Sequence, residues 1–147
     1  MAVDGTEFTL VNNCNHSIWP AILANPGNSR PEQTGFELPS DTSRLLYVPN
    51  RWVGQIWARN RCYFNKSGFG SCTTGNCASG KIECDGAVGL SPMTLVEFNL
   101  GSGAHDSYNV NLIYGFNLPV IVVPLSGTGT CESAGCMTDL NLLCPLS

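Results

Sequence analysis

Cysteine and glycine are concentrated in the segment GFGSCTTGNCASGKIEC, which runs from Gly68 to Cys84. Cysteine thiolates can hold a zinc ion, glycine-rich loops can hold a phosphate, and cysteines can pair as disulfides. Four residues separate Cys72 from Cys77, and also Cys131 from Cys136, whereas zinc knuckles use tighter pairs. A phosphate loop would need a Gly-Lys-Ser/Thr step before a helix, and the segment has neither pattern. The spacing therefore favours disulfides over a metal site.

Two small consecutive loops would be closed if Cys62 paired with Cys72 and Cys77 paired with Cys84. By loop-closure entropy, each bond would stabilise the fold by about 2.5–3 kcal/mol. The glycines fit this interpretation because tight closed loops need positive φ angles. Residues 60–92, which are poor in strand patterns, are thus predicted to be a stapled loop region inside a single domain of residues 1–147.

The composition indicates an oxidising compartment and argues against a nucleic-acid partner. Eight cysteines in 147 residues is a high and even number. Two sequons, beginning at Asn15 and Asn65, are glycosylation candidates in a secreted chain. The formal net charge is −4 and the seven Lys and Arg residues form no run, so no basic surface for nucleic acid is expected.

Short stretches typical of β-strands recur along the chain, separated by turns rich in Gly, Pro, Asn and Ser. Glycine and proline interrupt nearly every longer window, so helical periodicity is scarce. The predicted strands cover residues 8–11, 17–19, 35–38, 44–48, 54–59, 94–100, 107–112 and 120–123. Many short strands at near-regular spacing predict an all-β sandwich or barrel.

The segment from Gly68 to Cys77, with Cys84 after it, resembles the signature of thaumatin-like proteins, the fifth class of plant pathogenesis-related proteins. Similar stretches fall in family order over nearly the whole chain. They are residues 8–14 (FTLVNNC), 56–59 (IWAR), 94–98 (TLVEF), 114–119 (YGFNLP) and 135–145 (GCMTDLNLLCP).

The resemblance implies a flattened antiparallel β-sandwich with disulfide-stapled loops, secreted to the extracellular space (apoplast) as part of plant defence. Some members of the family bind or slowly cleave the β-1,3-glucans of fungal walls, and some permeabilise fungal membranes. Their activity is attributed to a cleft built from one arginine and several carboxylates. A glycanase needs two carboxyl groups, since one protonates the leaving oxygen while the other attacks or activates water.

The chain departs from the family at most positions of this cleft. The arginine position is Gln55, and the aspartate positions are Asn109 and Tyr114, while Glu97 retains the glutamate. The signature's own aspartate is replaced by Asn76. An Asn side chain can hydrogen-bond a sugar hydroxyl, but it cannot act as a general base near neutral pH. We therefore predict a cleft that lacks the second acid.

Length is the second departure, because larger family members continue into a cysteine-rich second domain and then return a final strand to the sandwich. The resemblance implies that Cys62–Cys72 and Cys77–Cys84 pair locally. It implies that four further cysteines have partners beyond this chain, so here they are free or pair among themselves: Cys14, Cys131, Cys136 and Cys144. We expect either a shortened gene product or a fragment.

Glu97 alternates with apolar neighbours and has two interpretations: a remaining catalytic acid, or a polar residue on the solvent face of a strand. The second is preferred because a single carboxylate has no partner. Tyr114, Phe116 and Phe98 are candidates for an aromatic platform under a sugar ring, although aromatic residues in strands more often belong to the core.

The predicted function is a secreted, monomeric, antifungal defence protein that binds fungal cell-wall β-1,3-glucan or a related carbohydrate. The predicted cleft consists of Gln55, Glu97, Asn109, Tyr114 and Phe116. We expect no cofactor, no metal and no hydrolysis, and Glu97 is the one candidate catalytic residue. The alternatives are a weak endo-β-1,3-glucanase, and a membrane-permeabilising antifungal protein or a protein-inhibitor module without sugar binding.

Overall fold

The computed structural model describes residues 5–100, 106–124 and 133–136, and within those ranges the chain is built from antiparallel β-strands without a helix. The all-β prediction is therefore confirmed. The strands are β1 (Gly5–Val11), β2 (Trp19–Ala24), β3 (Ser43–Pro49), β4 (Val53–Phe64), β5 (Gly70–Thr74), β6 (Leu95–Asn99), β7 (Ser107–Asn111), β8 (Val120–Val122) and β9 (Ala134–Cys136). In these ranges no helix could cross a lipid bilayer.

One sheet carries most of the fold. Its strand order is β2-β4-β6-β7, and β5 pairs with the end of β4. β1 and β3 form a separate two-stranded ribbon, and β8 pairs with β9. The main core lies between the large sheet and the β1–β3 ribbon: Ile22, Phe36, Leu38, Leu46, Val48, Trp52, Ile56, Val96 and Phe98.

Alternation of side chains explains why the β1–β3 ribbon packs on this sheet. In β3, Leu46 and Val48 are buried whereas Leu45 and Tyr47 are exposed, as expected for a strand with one covered face. Phe8 of β1 pairs with Leu46, and its ring lies 4.5 Å from the ring of Phe98 in the facing sheet. These apolar contacts hold the β1–β3 ribbon against the large sheet.

The opposite face of the large sheet is covered at one end only. The loops between β5 and β6 fold back over it and form a second core of Ala21, Trp57, Cys77, Cys84, Met93 and Leu95. The indole nitrogen of Trp57 donates a hydrogen bond to the carbonyl oxygen of Gly75 at 2.8 Å. The other end of this face remains open and forms a groove.

The observed strands differ from the predicted ones in three places. β2 begins at Trp19 and continues through Pro20 to Ala24, and it lies at an edge of the sheet, where a residue without an N–H is tolerated. Residues 35–38 form isolated bridges rather than a strand. The region 60–92 contains a β-hairpin, because β4 extends to Phe64 and pairs with β5.

Candidate functional site

Three of the predicted cleft residues meet on the open face of the large sheet. Gln55 of β4 is paired with Glu97 of β6, and Glu97 is paired in turn with Asn109 of β7. Side chains of directly opposite residues project on the same side, with Cβ atoms about 4.5–5.5 Å apart. The strand register thus lines up Gln55, Glu97 and Asn109 in one row across three strands.

The period of the strands explains why these polar side chains face outward. In β6, Val96 and Phe98 are buried in the main core, and Glu97 between them is half-buried on the opposite face. In β7, Asn109 lies between Tyr108 and Val110, which pack against the same core. Because side chains alternate along a strand, burial of the apolar neighbours leaves Glu97 and Asn109 in the groove.

The groove that contains this row has a volume of about 310 Å³. A second row beside the first extends it, since Val53 pairs with Asn99, and Asn99 pairs with Ser107. The lining residues are Asn25, Val53, Gly54, Gln55, Glu97, Phe98, Asn99, Ser107 and Asn109. The groove is therefore lined mainly by amide, hydroxyl and backbone groups of one sheet.

Glu97 is the only ionisable side chain among the described residues that line the groove. Gln55 and Asn109, which flank it, are neutral amides that both donate and accept hydrogen bonds. A carboxylate between two amides can accept bonds from sugar hydroxyls. Acid–base hydrolysis of a glycosidic bond needs a second carboxyl group, and no described lining residue supplies one.

Tyr114 and Phe116 do not line this groove. They lie in the turn after β7, where the carbonyl oxygen of Tyr114 accepts a hydrogen bond from the amide of Met93 at 3.2 Å. The neighbouring Asn117 side chain bonds to the amide of Thr94 and the carbonyl oxygen of Ala58. This turn belongs to the covered end of the face, so the structure separates the two aromatic residues from Gln55, Glu97 and Asn109.

The stapled region contains two disulfides among the described residues, Cys62–Cys72 and Cys77–Cys84. The first joins β4 to β5, and both cysteines of the second belong to the second core. The sulfurs of Cys72, Cys77 and Cys84 are thus bonded to sulfur. In the described ranges, no three His, Cys, Asp or Glu side chains are grouped so as to hold a metal ion.

Asn76 has a structural contact at the signature position. Its side-chain oxygen accepts a hydrogen bond from the backbone amide of Cys72 at 2.9 Å, and its carbonyl oxygen accepts one from Leu90 at 2.8 Å. Gly75 before it has a φ of 69°, a conformation that favours glycine. Asn76 therefore holds the turn that follows β5.

Arg59 fastens the stapled region to the sheet and was not singled out from the sequence. It is fully buried, and its guanidinium donates hydrogen bonds to four backbone carbonyl oxygens, those of Trp19, Pro20, Lys81 and Ile82. Burial lowers the pKa of Arg59 to about 10, while the nearby Glu83 carboxylate acts in the opposite direction. Arg59 thus connects β2, β4 and the loop at residues 81–82.

Cys14 follows β1, is half-buried, and forms no disulfide with a described residue. Burial raises the pKa of its thiol. Cys14 lines a second, largely apolar groove of about 350 Å³ together with residues of β1 and β8. Cys131 and Cys144 lie outside the described residues, and only the backbone of Cys136 is described, in β9.

Both sequon asparagines are exposed. Asn15 lies in the bend after β1, and Asn65 lies in the loop between β4 and β5. These positions are accessible for a glycan, since exposed loops and turns accommodate a bulky substituent.

Sequence reasoning missed five groove residues: Asn25, Val53, Gly54, Asn99 and Ser107. A signal existed for three of them, because Val53, Asn99 and Ser107 lie two positions from Gln55, Glu97 and Asn109 and so share their face. No local signal predicts Asn25. Its place depends on a long-range hydrogen bond from its amide to the carbonyl oxygen of Val53, at 2.9 Å.

Comparison with known proteins gives a consistent family match. The family model described as "Thaumatin family" matches residues 12–147. Pathogenesis-related protein 5 of Arabidopsis thaliana is 44% identical over 146 residues, which is 99% of this chain and 59% of that protein. A glucan endo-1,3-beta-glucosidase of Prunus avium is 43% identical over 135 residues, 91% of this chain and 55% of that protein. The chain spans 54–59% of the length of the curated relatives it matches.

A solved structure agrees with the fold. The thaumatin-like xylanase inhibitor superposes with a TM-score of 0.63 at 31% sequence identity, covering 77% of this chain and 72% of the inhibitor. A score at this level over most of both chains indicates a shared arrangement of strands. The all-β sandwich of this chain thus has a counterpart among solved structures.

Proposed function

Because this chain belongs to the thaumatin family, we propose that it is a secreted, defence-related protein that binds β-1,3-glucan or a related cell-wall carbohydrate without hydrolysing it. Membership of the family supports the defence role, and the disulfides fit an extracellular protein. The single observation that carries the proposal is the row Gln55–Glu97–Asn109 in the groove. We propose that the protein acts as a monomer in the apoplast.

Binding follows from the chemistry of the groove. Sugar hydroxyls both donate and accept hydrogen bonds, and the amides of Gln55 and Asn109 offer both kinds of partner. The Glu97 carboxylate adds a charge-assisted acceptor between them. A groove that runs along the surface of a sheet can follow an extended polymer. This arrangement favours a polysaccharide over a compact, charged small molecule.

We infer the absence of hydrolysis from the number of carboxyl groups in the groove. Glu97 is the only carboxylate in the described lining, so protonation of the leaving oxygen and activation of water cannot be divided between two groups. Gln55 and Asn109, the direct strand partners of Glu97, are amides that do not exchange protons near neutral pH. We therefore propose retention of the polymer with its chain length unchanged.

The test compares retention with turnover on the same preparation. The protein is mixed with curdlan for a pull-down and with laminarin for a reducing-sugar assay. We expect retention by curdlan and no release of reducing ends above a blank. Glu97→Gln should weaken retention, whereas Glu32→Gln, which removes an exposed carboxylate outside the groove, should not. Failure to bind either glucan would refute the proposal.

A weak endo-β-1,3-glucanase is the second candidate, favoured by the Prunus avium relative and by the presence of Glu97. It requires clear turnover of laminarin that Glu97→Gln abolishes and Glu32→Gln leaves intact. Dye leakage from fungal protoplasts without glucan retention would instead support a membrane-permeabilising protein. Each of the three functions therefore predicts a positive result in a different assay: glucan retention, laminarin turnover or dye leakage.

A further inference from the structure

The β4–β5 hairpin places Asn65 between two exposed aromatic rings. Tyr63 is the second-last residue of β4, two residues before Asn65, and its side chain is 77% exposed. Phe69 lies across the hairpin, where its carbonyl oxygen accepts a hydrogen bond from the Asn65 amide at 2.8 Å, and its side chain is 53% exposed. Cys62–Cys72 joins the two strands behind this face. The aromatic rings are therefore held on a covalently braced hairpin.

The turn itself fixes the Asn65 side chain by its oxygen. Oδ1 accepts hydrogen bonds from the backbone amides of Ser67 and Phe69, both at 3.0 Å. Gly68, with a φ of 81°, donates its amide to the Asn65 carbonyl oxygen at 2.9 Å. The side-chain nitrogen, in contrast, has no hydrogen-bond acceptor among the described residues. An Asn65 substituted on its side-chain nitrogen would keep both hydrogen bonds to its side-chain oxygen. The substituent would therefore project from the hairpin in a fixed direction.

We propose that Asn65 carries an N-linked glycan whose first sugar packs against the ring of Tyr63. Asn65-Lys66-Ser67 is a sequon, and Asn65 is exposed. The inference rests on passage through the secretory pathway, which is part of the proposed function. The C–H face of a pyranose is apolar, and a flat aromatic ring offers a matching surface.

The transfer step is a substitution at the anomeric carbon of a lipid-linked oligosaccharide diphosphate. The Asn65 side-chain nitrogen forms the new C–N bond as the bond from the anomeric carbon to the diphosphate oxygen breaks. The lipid diphosphate leaves, and one amide proton is lost to a base of the transferase. No oxidant or reductant is consumed.

Tyr63 is the expected stacking partner because the ring of Phe69 already has a neighbour. The Lys81 ammonium lies over the Phe69 ring at 5.9 Å from its centroid. The Tyr63 side chain, which is 77% exposed, makes no ring contact and no hydrogen bond within the described part of the chain. A sugar on Asn65 would therefore cover apolar surface at Tyr63 that the protein itself leaves in water.

The other sequon provides a control within the same chain. Asn15 is also exposed, but the residue two positions before it is Asn13, which has no ring. A glycan on Asn15 has no comparable apolar partner at this position. Stabilisation that depends on an aromatic neighbour should therefore be specific to Asn65.

Occupancy is tested first. The full chain is expressed behind a secretion leader in a eukaryotic host, and tryptic glycopeptides are analysed by mass spectrometry. We expect a glycan on Asn65 that Asn65→Gln and Ser67→Ala both remove. A secreted protein with unmodified Asn65 would overturn the proposal, whatever the state of Asn15. Curdlan retention, measured on the same protein, tests the proposed function separately, since it depends on the groove rather than on the hairpin.

Packing on Tyr63 is tested by thermal unfolding in an Asn15→Gln background. An endoglycosidase trims the glycan to its first sugar, and the product is compared with Ser67→Ala, which removes the sequon but keeps both hydrogen bonds to the Asn65 side-chain oxygen. We expect the single sugar to raise Tm by about 3 °C, as a modest apolar contact does in a domain of this size. Tyr63→Ala should abolish this gain, whereas Tyr47→Ala, an exposed tyrosine on β3, should preserve it. An equal gain with and without Tyr63 would overturn the packing.

Discussion

Glu97 and Asn109 are direct partners in the β6–β7 pairing, so the one carboxylate among the described lining residues of the groove lies beside an amide. The pairing puts their Cβ atoms about 4.5–5.5 Å apart. At such a distance a second carboxylate would interact strongly with the first, and an amide does not. The chemistry available in the groove therefore depends on which residue type stands opposite Glu97.

Asn109→Asp should introduce repulsion with Glu97. We expect the free energy of unfolding at pH 7 to fall by about 0.5 kcal/mol, because like charges directly opposite are destabilising. Repulsion raises the pKa of one carboxyl in the folded state, so the relative stability of the variant falls as pH rises, and the deficit disappears near pH 3. Urea unfolding at pH 3 and pH 7 measures both values. The double variant Glu97→Gln/Asn109→Asp should show no such deficit; an equal loss there would contradict the pairing.

Gln55→Ala should weaken glucan binding without changing the fold. Gln55 is half-buried in the groove and lies opposite Glu97. Loss of one hydrogen bond to the sugar weakens binding by about 1 kcal/mol, which corresponds to a roughly five-fold rise in Kd. Isothermal titration with laminarin oligosaccharides gives the Kd, and the Tm should remain within about 2 °C of the wild type. Gln33→Ala, an amide outside the groove, is the matched control and should leave Kd unchanged.

Gly54→Ala should destabilise the sheet beneath the groove. A Cβ at this position would overlap the ring of Trp52 and would approach the carbonyl oxygen of Leu23 to 2.7 Å. Trp52 is only 1% exposed and packed in the main core, so it cannot move aside. Overpacking of this kind costs about 1–3 kcal/mol. Tryptophan fluorescence in urea would measure the loss, and an unchanged midpoint would show that the ring can be displaced.

Arg59→Met should release the stapled region from the sheet. The substitution removes the donor of four backbone carbonyl oxygens, at a cost of about 3 kcal/mol or more. Arg61→Met, which removes an exposed cation two residues away, should cost little. Urea unfolding compares the two variants. A similar loss in both would show that burial of the guanidinium is unimportant.

The contribution of Arg59 to stability should depend on pH only in alkaline solution. Burial lowers the folded pKa of Arg59 to about 10, below its usual value, so folded and unfolded chains are both protonated at Arg59 below about pH 9. The difference in Tm between wild type and Arg59→Met should thus be constant from pH 6 to pH 8. Above about pH 10 the unfolded chain holds more protons, and the wild type should gain stability relative to the variant. A marked slope between pH 6 and pH 8 would contradict this assignment.

Strands in which apolar and polar residues alternate were predictable from the sequence. A strand that depends on a distant partner strand and a disulfide was not. Residues 44–48 and 107–112 alternate, and β3 and β7 lie there. β5 was missed because its residues, GSCTT, have weak strand propensity, and it is held by pairing with β4 and by Cys62–Cys72. Local sequence does not encode such long-range partners.

The predicted cleft shows the same division. Gln55, Glu97 and Asn109 meet in the groove, whereas Tyr114 and Phe116 lie in a turn at the covered end. The first three belong to regular strands, in which a correct register aligns every residue of a face. Residues in a turn follow no such period, so their place could not be derived from the strand pattern.

By itself, the sequence determined the all-β class, the number and positions of the cysteines, and the residue type at each cleft position. These properties depend on residue type and on local periodicity, which are readable without coordinates. Only the tertiary structure decided which residues became neighbours. Hydrogen bonds between strands distant in sequence set the register that joins Gln55, Glu97 and Asn109, and the fold of the loops buried Arg59 while leaving Tyr63 beside Asn65 in water.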